Sequence, residues 1–387
     1  MSKSEIFSVI LNSFKNFKKQ LSLHEPSIDT SDIKTVKNIL FKKLVSTSAE
    51  KIINKFEKKI SKLTKAKYVV ATNTGTSALH IALKAIKLKN NEEVLIPDIN
   101  YIAAANSVIH CGGIPHFVDI NISNLGIDVK KLENYLKKIT LVKKNKLINK
   151  KSKNVIKAII PTHVFGNACD IINLKRISNK YKLFLIEDSS ESLGSFFKNK
   201  HLGTFGDIGV LSFNGNKIIT TGGGGAILTN NSNLFKRCLH LSKISRVKKR
   251  YWEFNYNEPG FNFRMPALNA ALGISQIDKL KKILNKKKKI YLEYKKYFRN
   301  IKSIKLLEPI NKKSNYWLNA IQIEKSDEKL IEKIILTLQK KRISVRPVWK
   351  QMHKINYLSK YPRMNLSNAN YIKDKLLSLP SGVDIFK

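Results

Sequence analysis

Cysteine is scarce in this chain: three in 387 residues, Cys111, Cys169 and Cys238, too few and too irregularly spaced for a disulfide framework or a metal site. They are expected to be reduced, buried thiols, with no bound metal. Acidic residues number only 28 against 72 basic ones, which leaves a net charge of +44. A charge of that size points first to nucleic acid or an anionic surface. A second scarcity argues against both, because only nine of the basic residues are Arg, the better fork for phosphates and bases. The Lys, Ile and Asn excess runs through the whole chain, including residues 141–153 and 279–289, as it does when a compositional bias fills solvated positions. No nucleic-acid partner is expected. Long apolar runs are missing as well, so no membrane span is expected. Residues 1–20 read as an amphipathic helix, with Ile6, Ile10 and Phe14 on one side and Lys on the other. They lack an uninterrupted apolar stretch and a small-residue cleavage site, so a cytoplasmic protein is expected.

What is present is ordinary globular material, 42% hydrophobic and 26% charged, long enough for a large core. Short apolar runs at 68–71, 94–97, 116–118, 158–161, 183–186, 210–213 and 226–229 alternate with helical stretches such as 77–87, 103–110 and 174–181. That alternation predicts an α/β fold with βαβ units and a mainly parallel central sheet flanked by helices. After Pro266 the pattern changes to a Lys-rich helix over about 267–300, then to shorter mixed elements. Three parts are therefore expected: an N-terminal arm over 1–24, a large domain over 25–266 and a smaller α+β domain over 267–387.

Two runs carry candidate chemistry. Lys182-Leu-Phe-Leu-Ile-Glu-Asp188 is an apolar strand ending in two acids, and strand carboxyl ends are where open α/β sheets bind ligands. Asp188-Ser-Ser-Glu191 also has capping-box form, so Asp188 could equally start a helix. Gly209-Val-Leu-Ser-Phe-Asn-Gly-Asn-Lys217 places a lysine just after a strand, and Thr220-Thr-Gly-Gly-Gly-Gly-Ala226 follows. A lysine held there, dry and aimed, would be a free-amine nucleophile suited to a Schiff base. A surface lysine beside a flexible loop reads the same way in a chain this rich in Lys. Thr74-Gly-Thr-Ser77 opens a helix directly after a strand and offers N–H groups and hydroxyls to a phosphate, or simple N-capping. The three features in this order are more specific than any one alone.

With these residues the chain resembles the DegT-type sugar aminotransferases, fold-type I pyridoxal-phosphate enzymes, over roughly residues 23–381. It is most similar to the LegC-type branch of legionaminic acid and related diamino-sugar pathways. That likeness rests on Leu23-His-Glu-Pro26, His163-Val-Phe-Gly166, Ser212-Phe-Asn-Gly-Asn-Lys217, Gly260-Phe-Asn-Phe-Arg-Met-Pro266, Asn315-Tyr-Trp-Leu-Asn319 and Arg346-Pro-Val-Trp349.

The resemblance implies pyridoxal 5'-phosphate as cofactor. It makes Lys217 the Schiff-base lysine and proton shuttle, and Asp188 the partner of the pyridinium nitrogen. Gly75, Thr76, Ser77 and Ser212 would hold the phosphate, Tyr101 would stack on the ring, and Glu191 would lie near the cofactor. His163, Tyr316, Trp317, Arg346 and Trp349 are expected to face substrate, with core packing as the alternative for the two Trp. Asn262 matches a residue that reaches the neighbouring subunit's phosphate, which implies a homodimer with shared sites. Gly223 stands where many relatives carry Glu, as it does in the LegC-type branch. The implied reaction moves an amino group from glutamate to a nucleotide-linked 4-keto-6-deoxy sugar. Relatives that have become dehydratases replace the lysine, often with His, so Lys217 argues against that activity. A basic binding or regulatory protein on an inactive aminotransferase scaffold remains the reading from another class, and it would bind DNA or RNA with steep salt dependence.

Overall fold

The computed structural model describes residues 3–46, 48–247, 250, 252–310 and 313–386. Seven short strands form the spine of its main sheet: β1 (Tyr68–Thr72), β2 (Glu93–Pro97), β3 (Ile114–Val118), β4 (Val155–Ile159), β5 (Phe184–Asp188), β6 (Ile208–Ser212) and β7 (Gly225–Thr229). Their order is β1-β7-β6-β5-β4-β2-β3, and a hairpin of Thr140–Lys143 and Lys146–Asn149 is added beside β4. The pairs β2–β3, β2–β4, β4–β5 and β5–β6 are parallel, whereas β7 runs antiparallel to both β6 and β1. The expected mainly parallel sheet is what forms, with all seven predicted strand positions in it.

These segments are largely apolar because helices cover both faces. Along β2, Leu95 enters one core cluster while Val94 and Ile96 enter the other. Likewise Leu211 faces one way and Val210 the other on β6. A period of two with both sets buried is the pattern of a parallel sheet between helical layers.

A third core joins the two ends of the chain. Ile6, Ile10, Phe14 and Phe17 pack with Tyr294, Phe298 and the small sheet of Ile304–Leu306, Asn319–Ile323, Leu376–Leu379 and Arg346–Pro347. The 32-residue helix Ala267–Phe298 serves both bodies. Its Ala270, Leu280 and Ile283 lie in a main-sheet core, and its Ile290, Tyr294 and Phe298 lie in the third. The helix expected over residues 1–20 is shorter, Lys3–Asn12. Ser13 ends it by turning its hydroxyl onto the Ile10 carbonyl, and Phe14 and Phe17 then pack edge-on to Tyr294 from a non-helical stretch. Met1 and Ser2 lie outside the described residues. No described helix is long and apolar enough to cross a membrane. All three cysteines are buried and unpaired.

Candidate active site

The carboxyl ends of the parallel strands open onto one cavity of about 310 Å³. Each strand delivers side chains there through the turn that follows it: Thr74, Gly75 and Thr76 after β1, Asn100 and Tyr101 after β2, Thr162 after β4, Asp188 at the end of β5, Ser212 at the end of β6. Strand β7 runs the other way, so Gly224, just before its first residue, arrives at the same rim.

Thr74 caps the helix Gly75–Ala85, its hydroxyl accepting from the Ser77 N–H at 2.9 Å. First-turn N–H groups have no acceptor inside a helix, and the cap takes only one of them. Those of Gly75 and Thr76 remain at the cavity wall, where a phosphate dianion would find two donors and the positive end of the helix. Capping and phosphate binding are thus compatible uses of one turn. Close approach fixes the glycines around it: a Cβ on Gly75 would stand 3.0 Å from the Ser212 Cβ, and one on Gly225 would meet the Thr74 carbonyl and stand 2.6 Å from the Gly75 nitrogen. Gly222 has φ of +79°, and a Cβ on Gly223 would stand 3.6 Å from the Asn73 carbonyl, an ordinary contact.

Gly225→Ala is expected to push the turn apart and weaken cofactor affinity by about ten- to a hundredfold, the equivalent of overpacking by about 1–3 kcal/mol. Fluorescence titration of cofactor into apoprotein measures it, and wild-type affinity would show that the turn does not hold the phosphate.

Asp188 is 5% exposed and no helix follows it directly, so the capping alternative fails; among the described residues its carboxylate accepts from the Ser190 N–H alone, at 3.1 Å. The Lys217 Nζ lies 3.9 Å from the centre of the Trp317 ring and 3.4 Å from Glu191 Oε1. Burial pushes the Glu191 carboxyl above its ordinary value, outweighing the pull of the Lys217 ammonium and of the Phe165 N–H that donates to its other oxygen at 2.8 Å. Phe165 adopts φ of +57° to aim that N–H. Its ring in turn stands 5.5 Å from Trp349.

Of the residues singled out in the sequence, Gly75, Thr76, Tyr101, Asp188, Glu191, Ser212, Lys217, Trp317 and Trp349 line the cavity. The rest lie off it. Ser77 is buried behind the cap. His163 is fully buried on the far side, 2.9 Å from Glu187, with its Nδ1 accepting from the Cys169 N–H. Tyr316, at φ of +50°, turns away to stack on Tyr291. Arg346 is exposed on an edge strand of the small sheet, and Asn262 is exposed beside Lys243. Sequence reasoning passed over Asn100, Thr162, Asn214 and Asn216, although each sits at or just beyond a strand end.

A cavity lined by a helix N-terminus, a carboxylate and an amine fits a flat, phosphorylated pyridine aldehyde. Fold and cavity together define a fold-type I enzyme dependent on pyridoxal phosphate. A sequence model of the DegT/DnrJ/EryC1/StrS aminotransferase family matches residues 26–387, and the chain belongs to that family of sugar aminotransferases. It is 33% identical over 352 residues, 89% of each chain, to the GDP-perosamine synthase of Escherichia coli O157:H7. It is 30% identical over 378 residues to the UDP-4-amino-4,6-dideoxy-N-acetyl-beta-L-altrosamine transaminase of Campylobacter jejuni, covering 91% of this chain and 96% of that one. Among solved structures it matches Helicobacter pylori PseC, an aminotransferase involved in the biosynthesis of pseudoaminic acid. That match has a TM-score of 0.82 and 26% identity, over 93% of both chains.

Proposed function

We propose that the protein aminates the 4-keto carbon of a nucleotide-linked 4-keto-6-deoxy sugar, preferably its 2-acetamido form, with glutamate as amino donor. It would work in the cytoplasm as a homodimer, supplying an amino sugar for surface polysaccharide or a legionaminic-type acid. The observation that carries the reading is the meeting of the Lys217 amine, the Asp188 carboxylate and the open first turn of helix Gly75–Ala85 in one cavity.

Bound there, pyridoxal phosphate supplies an electron sink for the carbon that loses or gains a proton. Asp188 would keep the ring nitrogen charged. Gly75, Thr76 and Ser212 would hold the phosphate, and Tyr101 would hold the ring. Lys217 would carry the cofactor, and its Nζ would be the base that takes a proton from the donor's α-carbon and gives one to the acceptor. Trp317 and Trp349 exclude water and offer flat apolar faces to a sugar.

Two curated relatives that act on nucleotide-linked sugars by name support the substrate class. The dimer is supported by apolar side chains that a monomer leaves in water: Ile33, Leu40 and Phe41 near the N-terminal end, and Trp252, Phe254 and Tyr256 in the segment before Asn262. The exposure of Asn262, outside its own chain's cavity, supports its use by a neighbour. A panel of UDP- and GDP-linked 4-keto-6-deoxy sugars, each incubated with glutamate, tests the proposal. Formation of 2-oxoglutarate together with one aminated sugar is the expected outcome, and a panel without turnover would overturn it.

A further inference from the structure

Lys287 is the only lysine among the described residues in the fully buried set, with 0% exposure. It sits in the middle of helix Ala267–Phe298 and has no carboxylate partner among the described residues. Lysines are almost never buried in that way, because removing an amine from water is costly unless something answers it. Burial accordingly pushes its pKa well down. An apolar side chain of equal length would fill the same space at no such cost, so the use of the amine lies in what it touches. Its Nζ donates to two backbone carbonyls, that of Trp317 at 2.6 Å and that of Ser381.

Trp317 is held at three points. Its backbone N–H donates to Asn315 Oδ1 at 3.0 Å, its indole Nε1–H donates to the Asn216 carbonyl at 2.7 Å, and its own carbonyl accepts from Lys287. Asn315 donates in turn to the carbonyls of Glu191 and Leu193. Trp317 therefore bridges the loop carrying Lys217, through its indole, and the loop carrying Glu191, through its backbone N–H and Asn315, with the Lys217 amine 3.9 Å from its ring centre. The Lys287 amine on the Trp317 carbonyl ties this bridge to the long helix, as does the Tyr316 ring stacked on Tyr291, and that helix is anchored in the main-sheet core.

We propose that Lys287 is a positioning residue that acts through Trp317, holding the indole over the Lys217 amine. The inference rests on the reading of Lys217 as the cofactor-bearing lysine. It assigns a use to a buried amine that the chemistry itself never touches, and it makes Trp317 a fixed wall.

The test uses Lys287→Met, which keeps the apolar stem and removes the donors. In cofactor-free protein, exchange of the Trp317 indole N–H with solvent, followed by nitrogen-edited NMR, is expected to rise about tenfold, the worth of one net hydrogen bond. The indoles of Trp252 and Trp349 serve as internal references and should not change. In the loaded enzyme kcat is expected to fall about tenfold with both KM values within about threefold, and Lys287→Met combined with Trp317→Phe should be no slower than Trp317→Phe alone. Unchanged indole exchange, or losses that multiply in the double variant, would overturn the proposal. Lys287→Gln keeps a donor for one carbonyl and should fall between wild type and Met. If the Met variant does not fold, Gln decides alone, with wild-type exchange as the contrary result. Failure of the Lys217 assignment would appear differently, as a cofactor absorption band that survives Lys217→Ala however Lys287→Met behaves.

Discussion

Lys217→Ala is expected to lose the visible-edge absorption of a lysine-bound cofactor and about four orders of magnitude or more in kcat/KM. Both losses follow from one atom. The Nζ stands in the cavity 3.4 Å from Glu191 and over the Trp317 ring, and among the described residues no other lysine lines that cavity. Alanine removes the anchor and the base together, so soaking the variant with external amines should restore only part of the activity. Absorption spectra and single-turnover kinetics of the purified variant check the two losses separately.

The second large effect is expected at Asp188. Asn has nearly the same shape, but a neutral amide cannot keep a ring nitrogen protonated, and the electron sink depends on that proton. Asp188→Asn should retain bound cofactor on Lys217 and lose roughly a thousandfold in kcat, the size seen when a preorganised charge is removed from a reacting centre. Because Asp188 accepts from the Ser190 N–H at 3.1 Å, the substitution can leave that turn in place, and an unchanged melting temperature should accompany the rate loss. A variant with wild-type kcat would mean that the carboxylate pairs with nothing in the reaction.

Much of this was legible in the sequence, for a physical reason. Strands covered on both faces must be short and apolar, so β2, β5 and β6 stand out from a Lys-rich background, and the residues that interrupt them at their carboxyl ends are the ones the cavity collects. What composition hid was direction. Adjacent residues on an extended chain point to opposite faces. At the end of β5, Asp188 enters the cavity, so Glu187 must leave it. After β4, Thr162 enters, and His163 is sent to the far side, where it meets that same Glu187 at 2.9 Å. His163 was a reasonable candidate by residue type and misplaced by one position. Tyr316 and Trp317 divide in a similar way, the positive φ of Tyr316 turning its ring onto Tyr291 while the indole reaches Lys217. Arg346 carries suitable chemistry on an edge strand that does not face the cavity. The hairpin of Thr140–Lys143 and Lys146–Asn149 lay within a stretch read as compositional bias, because its exposed lysines mask the alternation that Leu147 and Asn149 supply. Lys287 carried no signal among so many lysines, since burial of a single one is set by packing that only the assembled cores reveal.

The proposed chemistry depends on one amine among 63 lysines carrying the cofactor. Reducing the loaded wild-type enzyme with borohydride fixes the cofactor to whichever lysine holds it, and peptide mass spectrometry then locates it. A single pyridoxyl-phosphate adduct, on Lys217, is the expected result. An adduct on any other lysine, or no adduct in protein that retains the cofactor, would contradict it.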